Sequence, residues 1–336
     1  AIDRKSNASP QPDAGFKCLA NPGFLWRNGI SLDPGSLADF QTISRPGNKE
    51  ITPIIMGPGL RIQTIAFAFI RTVINTMHRM VYPFLPVFSR GLGVDLKALS
   101  LALTSRQITG ILGPFSAILL ENRGRKTGLL TGLGLFTSGV VLVVVRPTYP
   151  VFILSLSLTT LGKYMFDPHM QGYLSDQIPY ERRGTALAIT ELGWSLAFIF
   201  GVPCMGFLIA RGGWMSPFGG LSLLGLISML IIWKMIPQNS DDRVNWDQIW
   251  DNCRLVFRYP PALTALTIGL SISAANEVIN LVFGVWLEDN FGLQILALGG
   301  AAAAIGLSEL GGETLMGVIT DRLGKTRSIQ WGLISN

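Results

Sequence analysis

Charge is what this sequence lacks. Only 14% of its 336 residues are Asp, Glu, Lys or Arg, while 49% are hydrophobic and the mean hydropathy is +0.41. Soluble domains carry about 25% charged residues, so an ordinary soluble globular domain is excluded and a lipid-embedded chain is indicated. Cysteine is sparse too. Cys18, Cys204 and Cys253 are too far apart in sequence to indicate a disulfide framework or a metal cluster. No His-Glu-x-x-His or Gly-x-Ser-Gly pattern falls in the apolar stretches, so the expectation is a non-enzyme with no cofactor and no metal. The net charge of +6 needs no nucleic-acid partner, because membrane proteins gather Lys and Arg on cytoplasmic loops. No signal-peptide pattern opens the chain at Ala1. Ser328 to Asn336 read as the start of a further apolar segment, so the chain is expected to be incomplete.

What is present is a repeat. Glu121-Asn-Arg-Gly124-Arg125-Lys126 sits between two apolar stretches, and Asp321-Arg322-Leu-Gly324-Lys325-Thr does the same 200 residues on (321 against 121). Upstream, Gly91-Leu-Gly93 and Phe291-Gly292-Leu293 end the preceding apolar segments at nearly that offset. Internal repeats of this kind build many secondary transporters.

A spanning helix needs about 20 mostly apolar residues. Eight such segments are expected, at 62–88, 99–120, 127–145, 149–174, 185–210, 218–235, 261–287 and 295–320. Residues 1–60, rich in Pro, Gly, Asn and Ser, read as a disordered or non-native tail. Residues 61–236 form a six-helix bundle, 237–260 a linker, and 261–336 the opening of a second bundle. In the linker, Trp246, Ile249, Trp250, Cys253 and Phe257 recur at helical spacing. This amphipathic helix either lies on the cytoplasmic membrane face or docks on the bundle. One set of loops carries Arg123, Arg125, Lys126, Arg182, Arg183, Lys234, Arg322 and Lys325; the other has only Arg90, Lys97, Arg146 and Arg211, with Glu288 and Asp289. The positive-inside rule then places the N-terminus in the cytoplasm.

Ionisable groups in hydrocarbon cost roughly 2.5–3.5 kcal/mol each on insertion scales, so they face a cavity or a partner. Here they follow the helical period. Arg71, Asn75, His78, Arg79 and Tyr82 share a face of the first segment. Thr159, Lys163, Asp167 and Gln171 step along the fourth, and Ser273, Asn276, Glu277 and Asn280 along the seventh. Three polar stripes three segments apart suit a water-lined pathway for substrate or protons. Structural alternatives stand beside that reading. Lys163 and Asp167 form an (i, i+4) pair, Arg79 can snorkel to the outer interface, and Glu277, with no base on its own helix, is either protonated or paired across helices. Arg106 marks the second segment. Glu309 and Glu313, one turn apart on the eighth, bridge helices, bind the charged loop or touch substrate. In the fifth, Gly193, Ala197, Gly201 and Gly206 favour close packing, Pro203 favours a bend, and Glu191 can join Arg182 or Arg183. His169, after Pro168, suits a local hydrogen bond or a kink.

The loop at Gly317-Val-Ile-Thr-Asp321-Arg322-Leu-Gly324-Lys325 resembles the major facilitator signature Gly-x-x-x-Asp-Arg-x-Gly-Arg-Arg/Lys. The first copy keeps Gly124, Arg125 and Lys126 but has Ala117, Glu121 and Asn122 where the family has Gly, Asp and Arg. The loop from Asp176 to Gly184 is also similar to that family, whereas Gly-Val-Pro in the fifth segment only partly resembles its antiporter motif. The resemblance covers residue 60 to the end. It implies an all-α integral membrane protein of twelve helices in two bundles, with helices one, four, seven and ten lining the pathway. Here that means a six-helix N-terminal half plus the first two helices of the C-terminal half. It further implies a monomeric secondary active transporter in the plasma membrane, moving a small solute by alternating access, with the charged loop as gate latch. Proton coupling and efflux are the expected mode; a non-transporting sensor or scaffold on the same fold is the alternative.

Overall fold

The computed structural model describes residues 58–113, 115–116, 123–237 and 257–323, with residues 254, 327 and 330; the side chains of 180–182 and 316–323 lie outside the description. The amphipathic linker helix and nearly all of the N-terminal tail therefore fall outside the described residues. Among the described residues all regular structure is helical.

The first expected segment is broken. Helix α1 runs Pro58–Met80, a turn occupies 81–84, and α2 runs Leu85–Leu92. Pro83 and Pro86 lack the N–H groups that would continue the ladder, which corrects the expectation of one helix over 62–88. Helix α3, Leu96–Ile111, starts at Asp95, whose carboxylate accepts the Ala98 N–H at 2.8 Å. Then come α4, Arg125–Val145, α5, Tyr149–Gln177, and α6, Tyr180–Leu196. A π-turn over Ala197–Gly201 leads into α7, Val202–Gly212. Pro203 cannot donate to the carbonyl four residues back, and the wider turn absorbs the fault. Last are α8, Ser216–Met235, α9, Pro260–Phe291, and α10, Ile295–Leu323.

Among the described residues, five stretches of helix are long and apolar enough to cross a membrane: Arg125–Val145, Arg183–Gly212, Ser216–Met235, Pro260–Phe291 and Ile295–Leu315. Helices α1 and α5 have the length, 23 and 29 residues, but carry the charged stripes.

Small residues set the packing. Helices α4 and α5 cross at Gly132 and Gly162, where a Cβ on Gly132 would stand 2.8 Å from the Gly162 carbonyl oxygen. Phe67, Phe136 and Phe166 fill the core beside them, and Phe88, Phe152 and Phe218 form an edge-on cluster with centroids 5.7–6.3 Å apart. Helix α10 packs on α7 and the π-turn. Helix α9 is different: Gly284 is its one buried residue, and a Cβ there would meet the Pro83 carbonyl oxygen at 2.7 Å. The glycines that end α2 and α9, Gly93 and Gly292, both adopt left-handed φ, +66° and +60°, so the repeat seen in sequence is also a repeat of helix caps.

Candidate functional site: ion pairs around a cavity

Helix α1 is the hub. Its stripe, continued by Tyr82 in the turn that follows, reaches α5, α6, α9 and α10. Nearest its N-terminal end, Arg71 stands with Nε 3.2 Å from Asp167 of α5 and Nη1 2.6 Å from Glu191 of α6. One turn on, Asn75 accepts a 2.8 Å hydrogen bond from Lys163, whose ammonium also donates to Asp167 at 2.9 Å. The (i, i+4) pair in α5 thus exists but is shared with two α1 side chains. Glu191 pairs with Arg71, and Arg183 donates to the Ile178 carbonyl at 3.0 Å, while the side chain of Arg182 lies outside the description. Sequence spacing missed this because Glu191 and Arg71 meet only through the α1–α6 crossing at Gly193, where a Cβ would press on the Arg71 Cβ at 2.8 Å.

Arg79 does not snorkel. It is buried, and its fork donates to both oxygens of Glu309 on α10, at 2.7 and 2.5 Å, and to the Trp194 carbonyl at 3.1 Å. Its guanidinium lies 3.4 Å from the Phe198 ring centroid and 4.4 Å from that of Trp194. Glu309 therefore bridges helices. Glu313, one turn on, accepts from Ser195 of α6 at 3.3 Å. At the end of α1, the Tyr82 hydroxyl donates to Glu277 of α9, 2.8 Å from each oxygen, and itself accepts from Arg106. Arg106 also donates to the His78 carbonyl at 3.1 Å and stands 3.7 Å from Glu277. Glu277 is thus paired across helices.

These groups bound a cavity of about 160 Å³. His78, Arg79, Tyr82, Trp194 and Phe198 line it from one side, and Ser273, Asn276, Glu277 and Asn280 of α9 from the other. The stripes of α1 and α9 meet here. The stripe of α5 does not line it: Lys163 and Asp167 are held by Asn75 and Arg71, Thr159 bonds back to Ser155 at 2.8 Å, and Gln171 is exposed. Lys163 nonetheless approaches the opposite partner of the cavity, with its ammonium 5.5 Å from the Trp194 ring. Trp194 and Phe198 escaped the sequence reading. Their spacing of four beside Gly193 was visible, but it reads equally as core.

Elsewhere, His169 makes the local hydrogen bond its place after Pro168 suggests, with Nδ1 2.7 Å from the Met165 carbonyl oxygen. At the charged loop, Gly124 adopts φ +84° and begins α4. Arg125 pairs with Asp176 at 3.3 Å, and Lys126 donates to the Trp233 carbonyl at 2.7 Å near the end of α8. The loop is thereby tied to two helix ends. Glu121, Gly324 and Lys325 lie outside the described residues. Gly317, Asp321 and Arg322 belong to the last turns of α10, and their side-chain contacts are outside the description. At the far ends of the helices Arg90 meets Glu288 at 2.5 Å.

A bundle of apolar helices, in which buried arginines pair with acids of other helices beside a cavity, marks a polytopic integral membrane protein. The sequence profile of the Major Facilitator Superfamily matches residues 67–336, and the chain belongs to that superfamily. Inner membrane transport protein YdhP of Escherichia coli (strain K12) is 30% identical over 155 residues, which cover 46% of this chain and 40% of YdhP. Quinolone resistance protein NorA of Staphylococcus aureus (strain MSSA476) is 26% identical over 220 residues, covering 60% of this chain and 53% of NorA. A bacterial homologue of the human lysosomal transporter Spinster, in an inward-facing, unoccupied conformation, shares the fold with a TM-score of 0.65 at 15% identity, over 80% of this chain and 64% of that one. The chain thus spans less than two thirds of the length of each.

Proposed function

We propose that the protein is a secondary active transporter that moves a small solute across the plasma membrane by alternating access, driven by a proton gradient and working as an exporter. In this reading residues 61–236 are the N-terminal bundle, 237–260 a cytoplasmic connection and 261–336 the start of the second bundle. The N-terminus faces the cytoplasm, the protein acts as a monomer, and its partners are the solute, protons and the bilayer. The observation that carries the proposal is the cavity between α1 and α9, closed by Arg79–Glu309 and by Arg106–Tyr82–Glu277. Every formal charge at its wall is met by a group on a different helix, so each pair can be made or broken as the helices shift. Export draws support from the relatives, one a resistance protein and one an inner membrane transport protein. The basic loop at Arg125 and Lys126, tied to Asp176 and the end of α8, fits a latch at the cytoplasmic face.

The test is solute accumulation in everted membrane vesicles containing the full protein. Accumulation that collapses when a protonophore dissipates the gradient is the expected result. Entry that only equilibrates and is indifferent to the gradient removes proton coupling and leaves a uniporter; no entry of any solute in a broad panel removes transport.

A further inference from the structure

Two of the three described ion pairs that join α9 and α10 to the rest of the bundle share an asymmetry, while in the third, Arg90–Glu288, the base is the exposed partner. Arg79 and Arg106 expose 5% and 1% of their side chains, whereas Glu309 and Glu277 expose 31% and 34%. The bases are fixed and the acids are open. Arg79 is fixed from several directions, by two aromatic faces and by the Trp194 carbonyl. Its fork is thereby held in the orientation that takes two carboxylate oxygens side by side, as Glu309 shows.

A guanidinium does not give up its proton, and leaving one buried without a counter-ion is costly. Glu309 sits on α10. Any movement that takes α10 away from α1 must therefore hand Arg79 another anion. Arg79 lines the cavity and Glu309 does not, so the replacement arrives from the cavity side. The cavity also offers ring faces at Trp194 and Phe198 and amides at Asn276 and Asn280. Its volume of about 160 Å³ matches the roughly 150 Å³ in which an apolar cavity accommodates benzene. The acid at the wall, Glu277, is already answered by Arg106 and Tyr82, so it offers an incoming anion little uncompensated charge.

We propose that the cavity binds a small aromatic carboxylate whose two oxygens take the place of Glu309 on the Arg79 fork, so that binding of the solute and release of α10 from α1 are one exchange. This rests on the transporter reading and names the class of solute that the same site takes.

Isothermal titration of the full protein in lipid nanodiscs with benzoate, benzamide and benzylammonium tests it. Benzoate should bind at least about tenfold more tightly than its neutral and cationic analogues, the margin expected of a charge-assisted fork. Glu309→Gln removes the competing carboxylate and should raise benzoate affinity several-fold, a gain that a purely structural role for Glu309 does not produce. Arg79→Lys keeps the charge, loses the fork and should lower it. Equal binding of benzamide or benzylammonium, no benzoate binding, or an unchanged affinity in Glu309→Gln overturns the proposal. The selectivity of the unaltered protein decides the matter even where a variant does not fold. Decanoate in a fourth titration separates a dissolved solute from a fatty acid of the bilayer, and tighter binding of decanoate overturns the single-ring assignment. Gradient-driven transport of another solute without benzoate binding removes the exchange and keeps the transporter. Benzoate binding that strengthens in Glu309→Gln, without transport, does the reverse.

Discussion

Helices α1 and α9 both carry a polar stripe at helical spacing, yet they are solved differently. On the stripe of α1 and the turn after it, Arg71 is committed to Asp167 and Glu191, Asn75 to Lys163, Arg79 to Glu309 and Tyr82 to Glu277, and all four are buried. On α9 only Gly284 is buried, and Asn276 and Asn280 face the cavity. Along the described residues the same pattern in sequence is therefore buried and paired in one case and largely exposed in the other. What separates them is the number of neighbours each helix meets, which its own residues do not encode. The sign of the charge follows the division. Among the described residues, the ion pairs between the two groups of helices put the base on α1, α2 or α3 and the acid on α9 or α10.

The sharpest way to break that comparison is to remove one partner at a time. Glu309→Ala leaves Arg79 buried without a counter-ion and should cost about 3–5 kcal/mol. Arg79→Met leaves an acid that is already open and loses chiefly its ring contacts, about 1–2 kcal/mol. Thermal unfolding in detergent, followed by tryptophan fluorescence, should rank the two in that order; the reverse order would mean that the bases are not the fixed side. Gly284→Val should come next, at about 1–3 kcal/mol, because its side chain must push α9 off the Pro83 carbonyl. Spin labels on α9 and α1 should record a wider separation. Gly124→Ala should cost about 1–2 kcal/mol through its φ of +84°, read as a lower unfolding midpoint. Smallest is Arg90→Ala. Arg90 exposes 61% of its side chain, and losing its pair with Glu288 should move the midpoint by no more than about 1 kcal/mol permits.

Much of the bundle was legible before any coordinates. Hydropathy located the helices, the loop at Gly124 declared a turn, and its second copy at residues 317–325 carried the resemblance to the family. The stripes on α1 and α9 named most of the cavity wall. Partners were less legible. Periodicity says which residues share a face but not how deep the face lies, so snorkelling stood as an alternative for Arg79 and a place beside Arg182 or Arg183 as the option for Glu191. Tyr82 was placed on the stripe, but its position between Arg106 and Glu277 depends on how α3 and α9 flank the end of α1. The break at 81–84 was written in Pro83 and Pro86, and the strength of the surrounding apolar run concealed it. The pathway role of the α5 stripe is the expectation the cavity supports least, because Lys163 and Asp167 are absorbed by α1.

The break in the first segment sits where α9 comes closest. Gly284 lies against the carbonyl oxygens of Tyr82 and Pro83, both within the turn that interrupts the helical ladder between α1 and α2. A straight helix would transmit a push from α9 along its whole length. Here the push lands on backbone without that stiffness, a few residues from the Tyr82 hydroxyl that holds Glu277. Fulcrum and clasp thus share one short stretch of chain, and tilting α9 and loosening its polar grip become a single mechanical event.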